Sequence, residues 1–444
     1  MPQTNGDQNG KTVPAQSAPT GKKILCVSRV GCIGDFCAKL ISEGHSVKYF
    51  IEAKSEKDVS DGFVEKVDDW KLTVPWADLV IFDDSDFGSD AERLRKDGKP
   101  VVGGTAYADK LEDDRDFGQQ EMKAAGLTVL PFCNFTDFEE AIKYVRENPD
   151  RYVVKPSGKA QSDKVLSYVG QEDDGHDVVA ILERYKKSWA KQIKTFQLQK
   201  FASGVEVAIG AFFNGKEFVF PACINFEHKK MFNDNIGPAT GEMGTSMFWS
   251  SENMLIQETI EKMAPRLAES GFVGYFDINC IATPRTIFPL ECTPRFGYPT
   301  LSIQMEGVLS NWGEFFFALA SGQKPNLRTK KGFQVGVVVA VPPFPFDDAS
   351  AFRRYSQGAV VIFKKTMTEG VYHGDIKLVE GDWVLTGQSG YVLVCTGSGA
   401  TMEDASKEAY GRVRNIIIPN MFYRTDIGDR WRRDGDLLRT WGYI

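Results

Sequence analysis

Three observations predict a multidomain protein of α/β and α+β class. The 444 residues set a prior of about three domains at ~150 residues each. From Lys22 to Val102 short apolar strands alternate with a helical pattern, the signature of a parallel sheet covered by helices. From Leu111 longer helices and paired strands take over, and the polar stretch Gln323–Lys331 precedes a third, α+β piece. The expected division is a tail at 1–21, a Rossmann-like domain at 22–110, a central domain at 111–330 and a small C-terminal α+β domain at 331–444.

In chain order, Lys22–Val30 reads as a strand, Gly31 and Gly34 as a βα turn, and Phe36–Ser42 as a helix stopped by Gly44. Val47–Ile51, Ala77–Asp83 and Pro100–Val102 are the next strands. Asp113–Ala125 is expected as one helix ended by Gly126, and Phe135–Asn148 as another. Tyr152–Lys155, Phe196–Phe201 and Val205–Phe213 are strands, the last two turning at Ser203–Gly204. Glu252–Ser270 is expected as a single long helix kinked at Pro265. Val273–Ile281 and Thr286–Glu291 form a strand pair turning at Thr283–Arg285. Gly332–Ala340, Val360–Lys364, Trp383–Leu385 and Tyr391–Cys395 are C-terminal strands, followed by the helix Met402–Ile417.

Composition removes several function classes. A net charge of −7 lacks the basic excess of a nucleic-acid-binding protein. No apolar run approaches the ~20 residues of a membrane span. Residues 1–21 have no apolar core and read as a disordered tail rather than a secretory signal. The eight cysteines show no CxxC pair, and with four histidines there is no HExxH, so a metal site must be built from carboxylates and suits Mg²⁺. A cytoplasmic protein with no nucleic-acid or membrane partner, monomeric or homodimeric, is expected.

Four segments carry chemistry together: Leu111–Leu127, Tyr152–Val165, Gln197–Val207 and Gly274–Thr300. In the second, Lys155 ends a strand and a small-residue loop with further cations follows, an arrangement that can cover a polyphosphate. In the fourth, Asp277 and Glu291 lie on successive strands and can converge on one Mg²⁺, with Arg295 beside them to clamp an anion. Each residue alone reads equally as a surface or salt-bridge group; four such segments in this order do not.

These segments resemble the ATP-grasp ligases, most closely the phosphoribosylamine–glycine ligase (glycinamide ribonucleotide synthetase) family. LEDDRDFGQQEMKAAGL resembles the helix before the family's lid, with Arg115 at the usual lysine, and VVKPSG resembles the strand whose lysine, here Lys155, contacts ATP phosphates. Phe196–Val207 resembles the linker holding adenine and ribose, with Glu206 at its acidic position. His228–Lys229 and IGPATGEMG resemble the His-Lys and TGPNTGGMG motifs, and LECTPRFGYPT resembles EFNARFGDPE. GVYHGDIKL, Val384–Cys395 and MFYRTDIGDR resemble the family's closing domain.

The resemblance implies an ATP-grasp central domain with a lid at about 127–196. ATP would be held by Arg115, Lys155, Lys164, Gln199, Phe201 and Glu206. Substrate would be held by His228, Lys229, Gly237, Pro238, Thr240, Gly241, Gly244, Arg295 and Gly297. Mg²⁺, with Mn²⁺ as the alternative, would be held by Asp277, Glu291 and Thr293, and Lys155 and Arg295 would be catalytic. The implied reaction is ADP-forming amide synthesis through an acyl phosphate, joining an amino acid such as glycine to an amine.

Several positions depart from the family. The lid loop is Ala160–Lys164 with fewer glycines; Thr293 replaces the metal-site asparagine; Gln199 and Lys200 replace an acidic pair; and Asp277 matches D-alanine ligase-type enzymes instead. VGCIGDFC (Val30–Cys37) stands where the Gly-Gly-Arg-Glu-His-Ala signature serves phosphoribosylamine. The acceptor is therefore phosphoribosylamine or another amine, such as a modified nucleotide or specialised metabolite; a nucleotide-binding protein without catalysis is the alternative. The acceptor is expected between the N-terminal domain and Ile236–Gly244, beside His228, Lys229 and Arg295. There a helix start after Gly31–Gly34 and flanking cations favour a phosphorylated or carboxylated molecule.

Overall fold

The computed structural model describes residues 21–158, 160 and 166–444; all but the last residue of the expected tail at 1–21, Lys164 and most of the lid loop lie outside the described residues. The N-terminal part is a five-stranded parallel sheet. Its central strand Lys23–Ser28 lies between Ser46–Ile51 and Leu79–Phe82, with Glu65–Lys66 and Val101–Val102 at the edges. Lys23–Ser28 is buried along nearly its whole length, as strands covered on both faces are. The first helix, Gly34–Ser42, buries Phe36, Cys37 and Leu40 on one side.

The largest unit is an eight-stranded antiparallel sheet. In spatial order it runs Ile287–Thr293, Val273–Ala282, Val205–Asn214, Phe218–Glu227, Gly244–Ser250, Phe333–Ala340, Tyr391–Gly399 and Val371–His373. The expected boundary near 330 thus falls between two strands of one sheet: Gly244–Ser250 pairs directly with Phe333–Ala340. A separate four-stranded antiparallel sheet is made by Phe132–Phe135, Phe196–Lys200, Tyr152–Pro156 and Tyr168–Val169, packed on the helices Phe138–Glu147 and His176–Trp189. The two sheets are joined by the short link between Lys200 and Val205.

Four expected helices are corrected; Met402–Ile417 ends at Arg414, and Ile416–Ile417 pairs as a strand with Ile362–Phe363. Asp113–Ala125 is two helices, Ala106–Asp113 and Arg115–Ala124, because Asp114 leaves the helical region and caps the second through Phe117 N. Phe135 belongs to a strand, and the helix after it is Phe138–Glu147, capped by Asp137. Glu252–Ser270 breaks at Thr259 (φ −124°, ψ −93°), and Pro265 sits inside the second helix, Ile260–Ser270. No helix among the described residues is long and apolar enough to cross a membrane.

Candidate functional site

The site forms where the four-stranded sheet faces the eight-stranded one. Lys155, on the strand Tyr152–Pro156, donates from Nζ to Gln199 Oε1 at 2.7 Å. Burial drives its ammonium down to about 8, and the nearby Arg115 guanidinium pushes the same way, against the pull of Glu291 and Glu206. Burial likewise lowers Arg115. Arg115 Nε and Gln199 Nε2 are both enclosed and have no hydrogen-bond partner among the described residues. Three donor groups thus gather in one place, two of them with a buried N–H that has no partner among the described residues. Phe201 stacks instead under Arg151, whose guanidinium carbon is 3.6 Å from the ring centre.

Lys229 organises the opposite wall. Its Nζ lies 3.1 Å from Glu206, 3.2 Å from Glu227 and 3.8 Å from Glu291. Burial opposes its charge, but Glu227, Glu206 and Glu291 outweigh burial and hold the ammonium well above its ordinary range. For Glu206 burial pushes upward, while Lys229 and Arg430 prevail and hold the carboxyl below its usual value.

A cavity of about 340 Å³ opens beside Lys229 and takes in Asp277, Glu291, Thr293, Arg295 and Gly297. Strand register explains the convergence. Asp277 lies opposite Thr293 and Asn279 opposite Glu291, so all four share one face. Asp277 accepts from Asn225 Nδ2 (3.3 Å) and Tyr275 OH (3.5 Å). Its carboxyl is raised to about 8 by burial and by Glu227. Gly210 is required beside it: a Cβ there would sit 2.1 Å from Tyr275 OH and 2.7 Å from Asp277 Oδ2. Asn279 gives Nδ2 to Glu227 (2.7 Å), and its buried Oδ1 has no partner among the described residues.

An orphaned amide oxygen among carboxylates suits a hard, oxygen-seeking cation. The fit is for magnesium completed by substrate oxygens, since among the described residues no three His, Cys, Asp or Glu side chains form a cage.

Arg295 is held from two directions. Its Nε donates to Glu112 at 3.0 Å and lies 3.2 Å from Asp84, Nη2 is 2.8 Å from Glu112, and Nη1 donates to the Phe296 carbonyl at 2.9 Å. Each terminal nitrogen keeps a further N–H for a substrate.

Of the expected substrate residues, Lys229, Thr240, Gly241, Arg295 and Gly297 line this cavity. His228, Gly237, Pro238 and Gly244 do not. His228 is enclosed, and burial, reinforced by Arg430 and Arg424, lowers it to about 3. Gly237 and Pro238 lie on the outlying hairpin Lys230–Phe232/Ile236–Ala239, and Gly244 packs against Gly336 and Ile427. Sequence reasoning missed Glu227, Asn279, Glu112, Asp84 and Glu242. Glu227 adjoins the His228–Lys229 motif and Asn279 follows Asp277 at strand spacing, so both were within reach of a period-two reading. Glu242 replaces the second glycine of the GGMG motif.

Residues 113–299 match the phosphoribosylglycinamide synthetase ATP-grasp (A) domain and residues 334–430 its C domain, together more than half of the chain. The chain belongs to the phosphoribosylglycinamide synthetase family. Its family is one of ATP-grasp carboxylate–amine ligases, and ATP is the family's nucleotide. The phosphoribosylamine–glycine ligase of Listeria monocytogenes is 28% identical over 351 residues, covering 76% of this chain and 80% of that one. That of Streptococcus pneumoniae is 26% identical over 432 residues, covering 92% and 99%. The crystal structure of the Thermotoga maritima phosphoribosylamine–glycine ligase superposes with a TM-score of 0.69 at 20% identity, covering 91% and 100%. The two chains therefore share a fold over 91% of this one.

Proposed function

We propose that this protein activates a small amino acid with ATP and joins it to an amine, releasing ADP and phosphate. The observation that carries this reading is the pairing of the buried donors of Lys155, Arg115 and Gln199, of which Arg115 Nε and Gln199 Nε2 have no partner among the described residues, with the oxygen-rich wall of Glu227, Asn279, Asp277 and Glu291. The donors hold the phosphate chain of ATP, and Glu206, with Lys229 beside it, borders the nucleotide.

The amino acid's carboxylate oxygen attacks the γ-phosphorus; the bond to the β-bridging oxygen breaks and ADP leaves. The amine nitrogen then attacks the acyl carbon, the carbon–oxygen bond to phosphate breaks, and the amine's proton leaves with the phosphate. No side-chain nucleophile is needed, because positioning and charge neutralisation carry such a transfer. Lys155 and Arg115 offset charge on the phosphates, and Arg295, fixed by Glu112 and Asp84, orients the acyl group. Asp277, Asn279 and Glu291 would hold magnesium, which supplies further charge neutralisation to the phosphate oxygens.

The test is nucleotide affinity by calorimetry. Lys155→Ala should weaken ADP binding by about 10- to 100-fold, the worth of a charge-assisted hydrogen bond. Unchanged affinity in a folded variant would remove Lys155 from the nucleotide site.

A further inference from the structure

A second cavity, of about 630 Å³, lies between the N-terminal sheet, the Thr240–Met243 turn and the C-terminal strands. It shares Gly241, Glu242 and Tyr298 with the ligase cavity, so a molecule held in it can present an amine to the activated carboxylate. On the ligase reading this is the acceptor chamber, and its lining is acidic. Among the described residues no Lys or Arg lines it, whereas Asp35, Glu56, Glu242, Asp347 and Asp375 do.

The helix start expected to hold an anion carries the chain's own carboxylate. Asp35 sits in the first turn of Gly34–Ser42, with Oδ1 on Phe36 N (2.7 Å) and Oδ2 on Ser302 Oγ (2.7 Å). That side chain fills the helix start, and burial raises its carboxyl to about 7 despite these bonds. The expected cations His228, Lys229 and Arg295 do not line this chamber; Lys229 and Arg295 act on its Glu242 and Tyr298 from the adjoining ligase cavity. Its one histidine, His373, is lowered to about 3 by burial and carries no charge.

The chamber also holds an unmet demand. Glu56 is only 9% exposed; Oε1 accepts from Ser55 (3.1 Å) and Gln388 (3.4 Å), while the enclosed Oε2 has no partner among the described residues. Tyr391 OH is likewise enclosed and unpartnered there. Burial raises Glu56, and Asp58 and Asp347 add to it; burial raises Asp375 to about 7, and Glu56 adds to it despite bonds from Ser389 and Gly390. Acids that repel one another in an enclosure without a cation are relieved by a positively charged guest. Val30, Ala53, Phe344 and Val394 give that guest an apolar middle.

We propose that the amine acceptor is a phosphate-free molecule carrying positive charge, of the diamine or amino-alcohol class, and that the chamber excludes phosphoribosylamine. The proposal deepens the ligase reading and rests on it. A phosphate dianion placed here meets a lining of carboxyl groups with no Lys or Arg side chain among them to offset its charge.

The full-length protein is given ATP, Mg²⁺ and each amino acid in turn, first with hydroxylamine to trap the acyl phosphate. With the best amino acid, ADP release is then compared for 1,4-diaminobutane, 2-aminoethanol and phosphoribosylamine formed in place from ribose 5-phosphate and ammonia. A phosphate-free amine should accelerate release at least about tenfold more than phosphoribosylamine, and Glu56→Gln should raise the KM for 1,4-diaminobutane by about tenfold or more. Faster turnover with phosphoribosylamine, or no acceleration by either phosphate-free amine, overturns the proposal. Hydroxamate formed in that case leaves the ligase reading standing; no hydroxamate with any amino acid brings both down.

Discussion

At the scale of single residues, the site is governed by burial set against neighbouring charge. Lys155 is the clearest case. Its free ammonium titrates near about 8 because enclosure and Arg115 outweigh two acids. Phosphate binds the charged form, so affinity for ADP is full below that value. It should fall up to about tenfold per pH unit above it, until the higher pKa of the bound complex is passed. Titration by calorimetry from neutral to alkaline pH checks this, and Lys155→Arg, charged throughout, should flatten the profile. Gly210 is a packing case: Gly210→Ala puts a methyl against Tyr275 and Asp277 and should cost about 1–3 kcal/mol in a denaturant midpoint. The motifs made Lys155, Glu206, Lys229, Glu291 and Arg295 legible in the sequence, because each stands within a quoted run. The pairing that holds Arg295 was not: Glu112, although inside the quoted run Leu111–Leu127, and Asp84 reach it from segments roughly two hundred residues away, and no spacing rule connects them.

At the scale of elements, caps and burial decide what a sequence reveals. Asp137 accepts from Glu139 N (2.7 Å) and Glu140 N (3.0 Å) at the start of Phe138–Glu147. Asp137→Ala should cost about 1 kcal/mol, seen as faster amide exchange in that helix than elsewhere. That helix was legible because one face is buried and the other wet. Thr300–Gly307 was not, since every one of its residues is buried and no apolar stripe forms. Phe218–Glu227 escaped for the same reason: Ala222 to Phe226 are buried without alternation, and Pro221 argues against a central strand. The break at Thr259 lacks a glycine or proline to announce it, whereas Pro265, which does, lies within an intact helix.

At the scale of the whole molecule, the C-terminal residues are structural partners of the catalytic sheet. Phe333–Ala340 covers the edge of Gly244–Ser250. Arg430 donates to the backbone carbonyls of Glu206 (2.7 Å) and Glu227 (2.8 Å), tying the end of the chain to the strands that carry the site. Truncation after Lys331 strips the cover from that edge and from Phe63, which packs against the core of the removed piece, so the shortened chain should aggregate or lose nucleotide binding; size-exclusion chromatography with an ADP titration reads both. The sequence boundary at Gln323–Lys331 marks a change of composition, but pairing between distant strands is invisible to composition. The same limit hid the acidic second cavity, whose carboxylates arrive from five separate segments.

The central claim is that these residues make an acyl phosphate. Trapping with hydroxylamine in the presence of ATP, Mg²⁺ and an amino acid measures it most directly. The account predicts aminoacyl hydroxamate and ADP in equal amounts, with both lost when Glu291→Gln removes a charge but keeps the side chain's size. ADP released without hydroxamate, hydroxamate accompanied by AMP, or parental turnover in Glu291→Gln would contradict it.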